Sequence, residues 1–159
     1  MKTANFPRSN ITETYGKFPY WTDEDDWLIS IADKDAYNAV PKAHFGKVLF
    51  LNFNDVDLNT PGSIETPKAM AVLSKLGAIT DAQALQIAEF IKEARELKKN
   101  VWSNCHAGMC RSGAVVRLLS ELGWELSDEH SPERIPNILV YNKIKKHFPE
   151  LFQSWDNKI

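Results

Sequence analysis

The chain has 159 residues, 43% hydrophobic and 25% charged. That is enough apolar material for one domain with its own core, and it excludes a disordered, collagenous or disulfide-scaffold chain. Nineteen Lys and Arg against 21 Asp and Glu leave a net charge of −2, so bulk charge gives no reason to expect nucleic acid or an anionic membrane as a partner. Only two cysteines occur, Cys105 and Cys110, and so sparse a count fits a reducing, cytoplasmic compartment and a chemical use of sulfur.

Residues 1–20 are polar with scattered aromatics and carry no apolar stretch of signal-peptide length. They read as an arm packed on the body through Phe6, Phe18 and Tyr20. Thr22 to Asp26 is an acidic run, read as a solvated turn ahead of a strand. Trp27–Ala32 reads as that strand. Asp33 then opens a short helix through Val40, stopped by Pro41. Lys47–Phe53 is a second strand, whose continuous apolar centre suits burial on both faces of a parallel sheet. Residues 54–68 form the longest loop, and loops of that length inside a domain usually carry function.

Pro67–Leu76 reads as a helix closed by Gly77. Thr80 and Gln83 form a capping box. The amphipathic helix behind it sets Ala84, Ile87, Ala88, Ile91, Ala94 and Leu97 on one side. Val101–Asn104 is a third strand, Ser112–Leu122 a helix ended by Gly123, and residues 124–136 are irregular. Asn137–Phe148 is a last helix, with Leu151, Phe152 and Trp155 packing beyond it. Strands alternating with helices predict one α/β domain over residues 1–159, with a mostly parallel central sheet.

The segment from Val101 to Gly113 carries the chemistry. A strand ends at a cysteine, five residues pass, and Arg111 and Ser112 open a helix. A short loop at that junction can turn its N–H groups inward as an anion nest. The helix behind adds its positive end. Arg111 adds a planar fork matched to two phosphate oxygens. Gly108 removes a side chain where the loop turns tightly. Cys105 then sits under an electropositive cup, surroundings that favour the nucleophilic thiolate.

The string Cys105-His-Ala-Gly-Met-Cys-Arg111-Ser112 resembles the phosphate-binding loop of the cysteine-dependent protein tyrosine phosphatases, and is closest to their compact dual-specificity-like branch. Phe53-Asn54-Asp55-Val56 is similar to that family's general-acid segment. Arg134-Ile-Pro136-Asn137 resembles the element downstream of its loop. The likeness spans roughly residues 25–150. It implies hydrolysis of phosphotyrosine, and of phosphoserine or phosphothreonine if the pocket is shallow, in a phosphoprotein or phosphopeptide. No metal or other cofactor is implied, and a monomer is expected. Cys105 would attack phosphorus and carry the phosphoryl group. Arg111 and the loop residues His106, Ala107, Gly108, Met109 and Cys110 would hold the phosphate. Asp55 would act as general acid, with Asp57 as the alternative two residues on. Ser112 would hydrogen-bond the sulfur. An acid that must be protonated beside a thiolate predicts a mildly acidic optimum.

Two positions depart from the family pattern. Asn104 stands where the family usually has His. Cys110, immediately before Arg111, is similar to the low-molecular-weight tyrosine phosphatases and raises a protective Cys105–Cys110 bond. Other functions compatible with the loop are a phosphoinositide or RNA 5′-phosphatase, a phospho-binding pseudophosphatase, and an arsenate-reductase-like redox enzyme. The five intervening loop residues contain no Lys or Arg, which disfavours the lipid and RNA substrates.

Overall fold

The structure, a computed structural model, describes residues 1–8, 25–38, 45–57, 66–106, 110–127 and 136–152. Among them five strands form one sheet: β1 (Lys2–Pro7), β2 (Trp27–Ala32), β3 (Lys47–Asn52), β4 (Val101–Cys105) and β5 (Glu125–Leu126). Their order is β3-β2-β4-β1-β5, and every pairing is parallel. The helices are α1 (Pro67–Lys75), α2 (Asp81–Glu96), α3 (Arg111–Glu121) and α4 (Ile138–Lys145). The result is the predicted α/β domain, a parallel central sheet flanked by helices. No helix among the described residues is long and apolar enough to cross a membrane.

Local chemistry explains where the helices begin and end. Pro67 opens α1, where a missing N–H costs nothing, and Thr66 Oγ1 accepts from Ala69 N at 3.2 Å. Gly77, at φ 73°, closes the turn that follows. The predicted capping box is present at α2, with Gln83 N donating to Thr80 Oγ1 at 3.1 Å and Thr80 N to Gln83 Oε1 at 2.9 Å. Gln83 Nε2 also donates to Asn52 O at 2.9 Å, pinning the start of α2 to the end of β3. Asn137 caps α4, its Oδ1 accepting from Val140 N at 3.0 Å.

The main core lies between one sheet face and the helices. Ile29, Ile31, Leu51, Phe53 and Val101 meet Leu73 of α1, Ile87 and Ile91 of α2, Val115 and Leu118 of α3, and Leu139 and Ile144 of α4. Each large aliphatic side chain buried there contributes about 1.5–3 kcal/mol. A smaller cluster, Ala4, Phe6, Leu28 and Trp102, lies on the opposite face. There Phe6 meets Trp102 edge-on, with centroids 6.0 Å apart.

Several expectations need correction. Lys2–Pro7 is an internal strand between β4 and β5 rather than part of an arm packed on the body. Phe6 is buried as expected, while Phe18 and Tyr20 lie outside the described residues. The short helix expected from Asp33 is a turn where described, closed by Ala36 N donating to Asp33 O at 3.0 Å; Val40 and Pro41 lie outside the described residues. The apolar strand β3 is an edge strand, with Phe50 42% exposed. Leu97 is exposed past the end of α2. The irregular stretch after Gly123 contains β5, which pairs with β1. The last helix ends at Lys145, although Phe148 beyond it is fully buried. Leu151 packs partly buried against the core and Phe152 is exposed; Trp155 lies outside the described residues.

Asp26 is also not a solvated turn residue. It is buried, and its Oδ2 accepts from Trp102 Nε1 at 2.9 Å while Oδ1 accepts from Asn100 Nδ2 at 3.1 Å. The carboxylate therefore joins the start of β2 to β4.

Candidate active site

Parallel strands all end on one edge of their sheet, and ligand sites of α/β folds gather there. Here that edge collects the ends of β2 at Asp33, β3 at Phe53–Asp57 and β4 at Cys105, with the first residues of α3 and α4 beside them. β1 supports the same edge, since Pro7 pairs with Cys105 and Arg8 N donates to His106 O at 3.1 Å.

Cys105 ends β4 and is buried. Its Sγ lies 3.1 Å from Ser112 Oγ, across the loop and one residue into α3. Both sulfurs, Cys105 and Cys110, are free thiols. His106 is exposed. Ala107, Gly108 and Met109 lie outside the described residues.

Arg111 opens α3 with its side chain buried, which is unusual for a cation unless it is paired. Nη1 donates to Phe53 O at 2.7 Å and pairs with Asp33 Oδ1 at 2.8 Å. These two contacts fix one corner of the guanidinium. Nε is buried and finds no acceptor among the described residues. A buried donor without a partner costs about 1–3 kcal/mol, a cost that an anion placed against Nε would remove. Asp33, read from sequence only as the start of a helix, is the site residue that reading missed. It lies 78 positions before Arg111, and no local signal joins them.

Asp55 and Asp57 both reach the start of α4 but divide their contacts. Asp55 Oδ1 accepts from Asn137 Nδ2 at 2.7 Å. Asp57 instead accepts from the backbone, Oδ1 from Leu139 N at 3.3 Å and Oδ2 from Ile138 N at 3.4 Å. Asp57 thus serves the positive end of a helix. Asn137 holds the arrangement together from a buried position. Its N–H donates to Cys110 O at 2.9 Å, and its Nδ2 also donates to Val56 O at 3.1 Å.

The loop bearing both carboxylates is anchored at its other end. Asn54 N donates to Gly77 O at 2.7 Å, and Asn54 Nδ2 to Leu76 O at 2.9 Å. Asn54 Oδ1 accepts from Lys34 N at 3.0 Å. Cys110 sits among Asp55, Cys105 and Arg111. Burial, then the Asp55 charge, the Cys105 sulfur and a hydrogen bond to Asp55 push its thiol above the usual range, against an opposing pull from Arg111. Asn104, at the position before Cys105, is buried, with Oδ1 lacking a donor among the described residues.

No family model matches the chain, and no curated protein sequence matches it. Among solved structures it is similar to the human tyrosine phosphatase-like serine/threonine/tyrosine-interacting protein. That match has 15% identity and a TM-score of 0.48, and covers 98% of this chain and 91% of that one.

Proposed function

We propose that the chain is a metal-independent phosphatase of the cysteine-dependent protein tyrosine phosphatase type, acting on phosphotyrosine and related phosphomonoesters in proteins or peptides. The observation that carries this reading is the Cys105 sulfur, 3.1 Å from Ser112 Oγ at a strand end, with the buried Arg111 opening the same helix and its Nε unpaired among the described residues. An electron-rich sulfur and an orphaned cationic donor at one helix start suit attack on a bound dianion.

In this reading the Cys105 thiolate attacks phosphorus, forming a P–S bond as the bond to the leaving oxygen breaks. Asp55 gives its proton to that oxygen. Arg111 and the loop N–H groups hold the equatorial oxygens as their charge redistributes. In the second step water attacks phosphorus, its proton passes to Asp55, and the P–S bond breaks. Ser112 Oγ, donating to the departing sulfur, eases that step. Asp55 is preferred to Asp57 because Asp57 is occupied with the backbone of α4.

The test is turnover of p-nitrophenyl phosphate in chelator, wild type beside Cys105→Ser. Turnover by the wild type, abolished in the variant, is expected. An inactive wild type that still binds a phosphotyrosine peptide would replace the enzyme with a phospho-binding protein.

A further inference from the structure

Asn137 uses every polar group it has. Its backbone N–H donates to Cys110 O at 2.9 Å, and its carbonyl accepts from Tyr141 N at 3.0 Å. Its Oδ1 accepts from Val140 N at 3.0 Å. The two Nδ2 hydrogens go to Asp55 Oδ1 at 2.7 Å and Val56 O at 3.1 Å. These partners fix the sense of the amide, since turning it over would aim Oδ1 at two acceptors and Nδ2 at a donor. The residue is buried, so the donor pair is held in place, whereas Asp55 is exposed at the sheet edge. Capping α4 needs only the Oδ1 contact. The Nδ2 contacts are additional, and with the backbone N–H they join the acid loop to the residue just before Arg111.

We infer that Asn137 is a positioning residue: bonded to Cys110 O through its N–H and to Asp55 Oδ1 through its amide, it sets how the acid reaches over the phosphate-binding loop. The inference rests on the phosphatase reading and on Asp55 as its acid. The oxygen that accepts from the amide is the carbonyl oxygen of the protonated carboxyl, so the proton for the leaving group rides on Oδ2. Rotation of the Asp55 side chain would swing that proton out of line, and the 2.7 Å contact opposes it. Asn137 itself neither gains nor loses a proton.

Asn137→Ser separates this role from capping. Serine caps a helix as well as asparagine does, but its hydroxyl stops one bond short of Nδ2. Phenyl phosphate needs a proton on its leaving group, and p-nitrophenyl phosphate needs it far less. Asn137→Ser is expected to lower kcat on phenyl phosphate about tenfold more than kcat on p-nitrophenyl phosphate, the weight of one hydrogen bond to a charged group. Loss of folded protein alone would lower both equally, so an unchanged ratio overturns the inference. Where Asn137→Ser does not fold, Asn137→Asp, nearly isosteric and still able to cap, must lower the ratio in its place.

A second measurement needs no turnover. The Asn137 side-chain amide is identified in 15N-edited NMR spectra by its loss in the Asn137 variants. Asp55→Ala is expected to move one of its two proton signals upfield, and two unmoved signals overturn the clamp. A wild type that turns over neither ester defeats the phosphatase reading and the positioning role with it. A wild type active on both, with the ratio intact in the Asn137 variants, defeats the inference alone.

Discussion

Replacing Asp55 by Asn removes the proton donor of the proposed mechanism and leaves the Asn137 contact an oxygen to bind. Replacing Asp57 by Asn removes a charge from the start of α4 and likewise leaves one amide oxygen for the Ile138 and Leu139 N–H groups. The two substitutions are chemically identical and two residues apart, so they separate the roles of the positions. A general acid contributes about 10²–10⁴ in rate, or roughly 3–5 kcal/mol of barrier. A carboxylate at a helix start contributes about 0.3–1 kcal/mol of stability. Asp55→Asn is thus expected to lower kcat on phenyl phosphate at least a hundredfold and leave the denaturation midpoint nearly unchanged. Asp57→Asn is expected to lower the midpoint in urea and cost less than tenfold in kcat. Steady-state kinetics and urea titrations on the three proteins give all four numbers. A hundredfold loss in Asp57→Asn with near wild-type turnover in Asp55→Asn would refute the assignment.

Three further substitutions test the scaffold. Gly77→Ala places a Cβ 2.6 Å from Asn54 Nδ2 at φ +73°, a backbone cost of about 1–2 kcal/mol plus disruption of the acid-loop anchor, so urea stability and kcat should fall together. Asp26→Ala takes away the carboxylate that accepts from the Trp102 indole, and a loss of about 1–3 kcal/mol is expected by chemical denaturation. Burial and a hydrogen bond to Glu121 push the Tyr141 phenol up to about 12 from 10.0. Its neutral form is therefore favoured in the folded state: the stabilisation is complete below pH 10 and is lost as pH rises towards 12. Tyr141→Phe should show a shallower loss of stability across that window, and an identical pH slope would contradict the assignment.

Features legible in the sequence were those written in neighbouring residues. The Thr80–Gln83 box, the Gly77 closure and the strand–Cys–x5–Arg–helix junction each involve a few consecutive positions. What escaped depends on distant partners. β1 is short, and its polar Thr3 and Asn5 are buried along with Ala4 and Phe6, because its place follows from pairing with residues about a hundred positions on. β3 has the composition of a central strand, but sheet order made it an edge. Asp26 looked solvated because the indole that buries it lies on β4. At the site, Cys105 Sγ and Ser112 Oγ lie 3.1 Å apart across the loop, while Arg111 pairs with the distant Asp33. The choice between Asp55 and Asp57 was open in the sequence because α4, which separates their contacts, begins some eighty residues later.

The central claim is that Cys105 carries the phosphoryl group. Rapid acid quench of the protein with a 32P-labelled phosphotyrosine peptide, followed by peptide mapping, tests it most directly. Label on Cys105 in the wild type, absent in Cys105→Ser and accumulated when breakdown is slowed in Asp55→Asn, is the predicted result. A wild type that releases labelled phosphate with no label ever on Cys105 would contradict it.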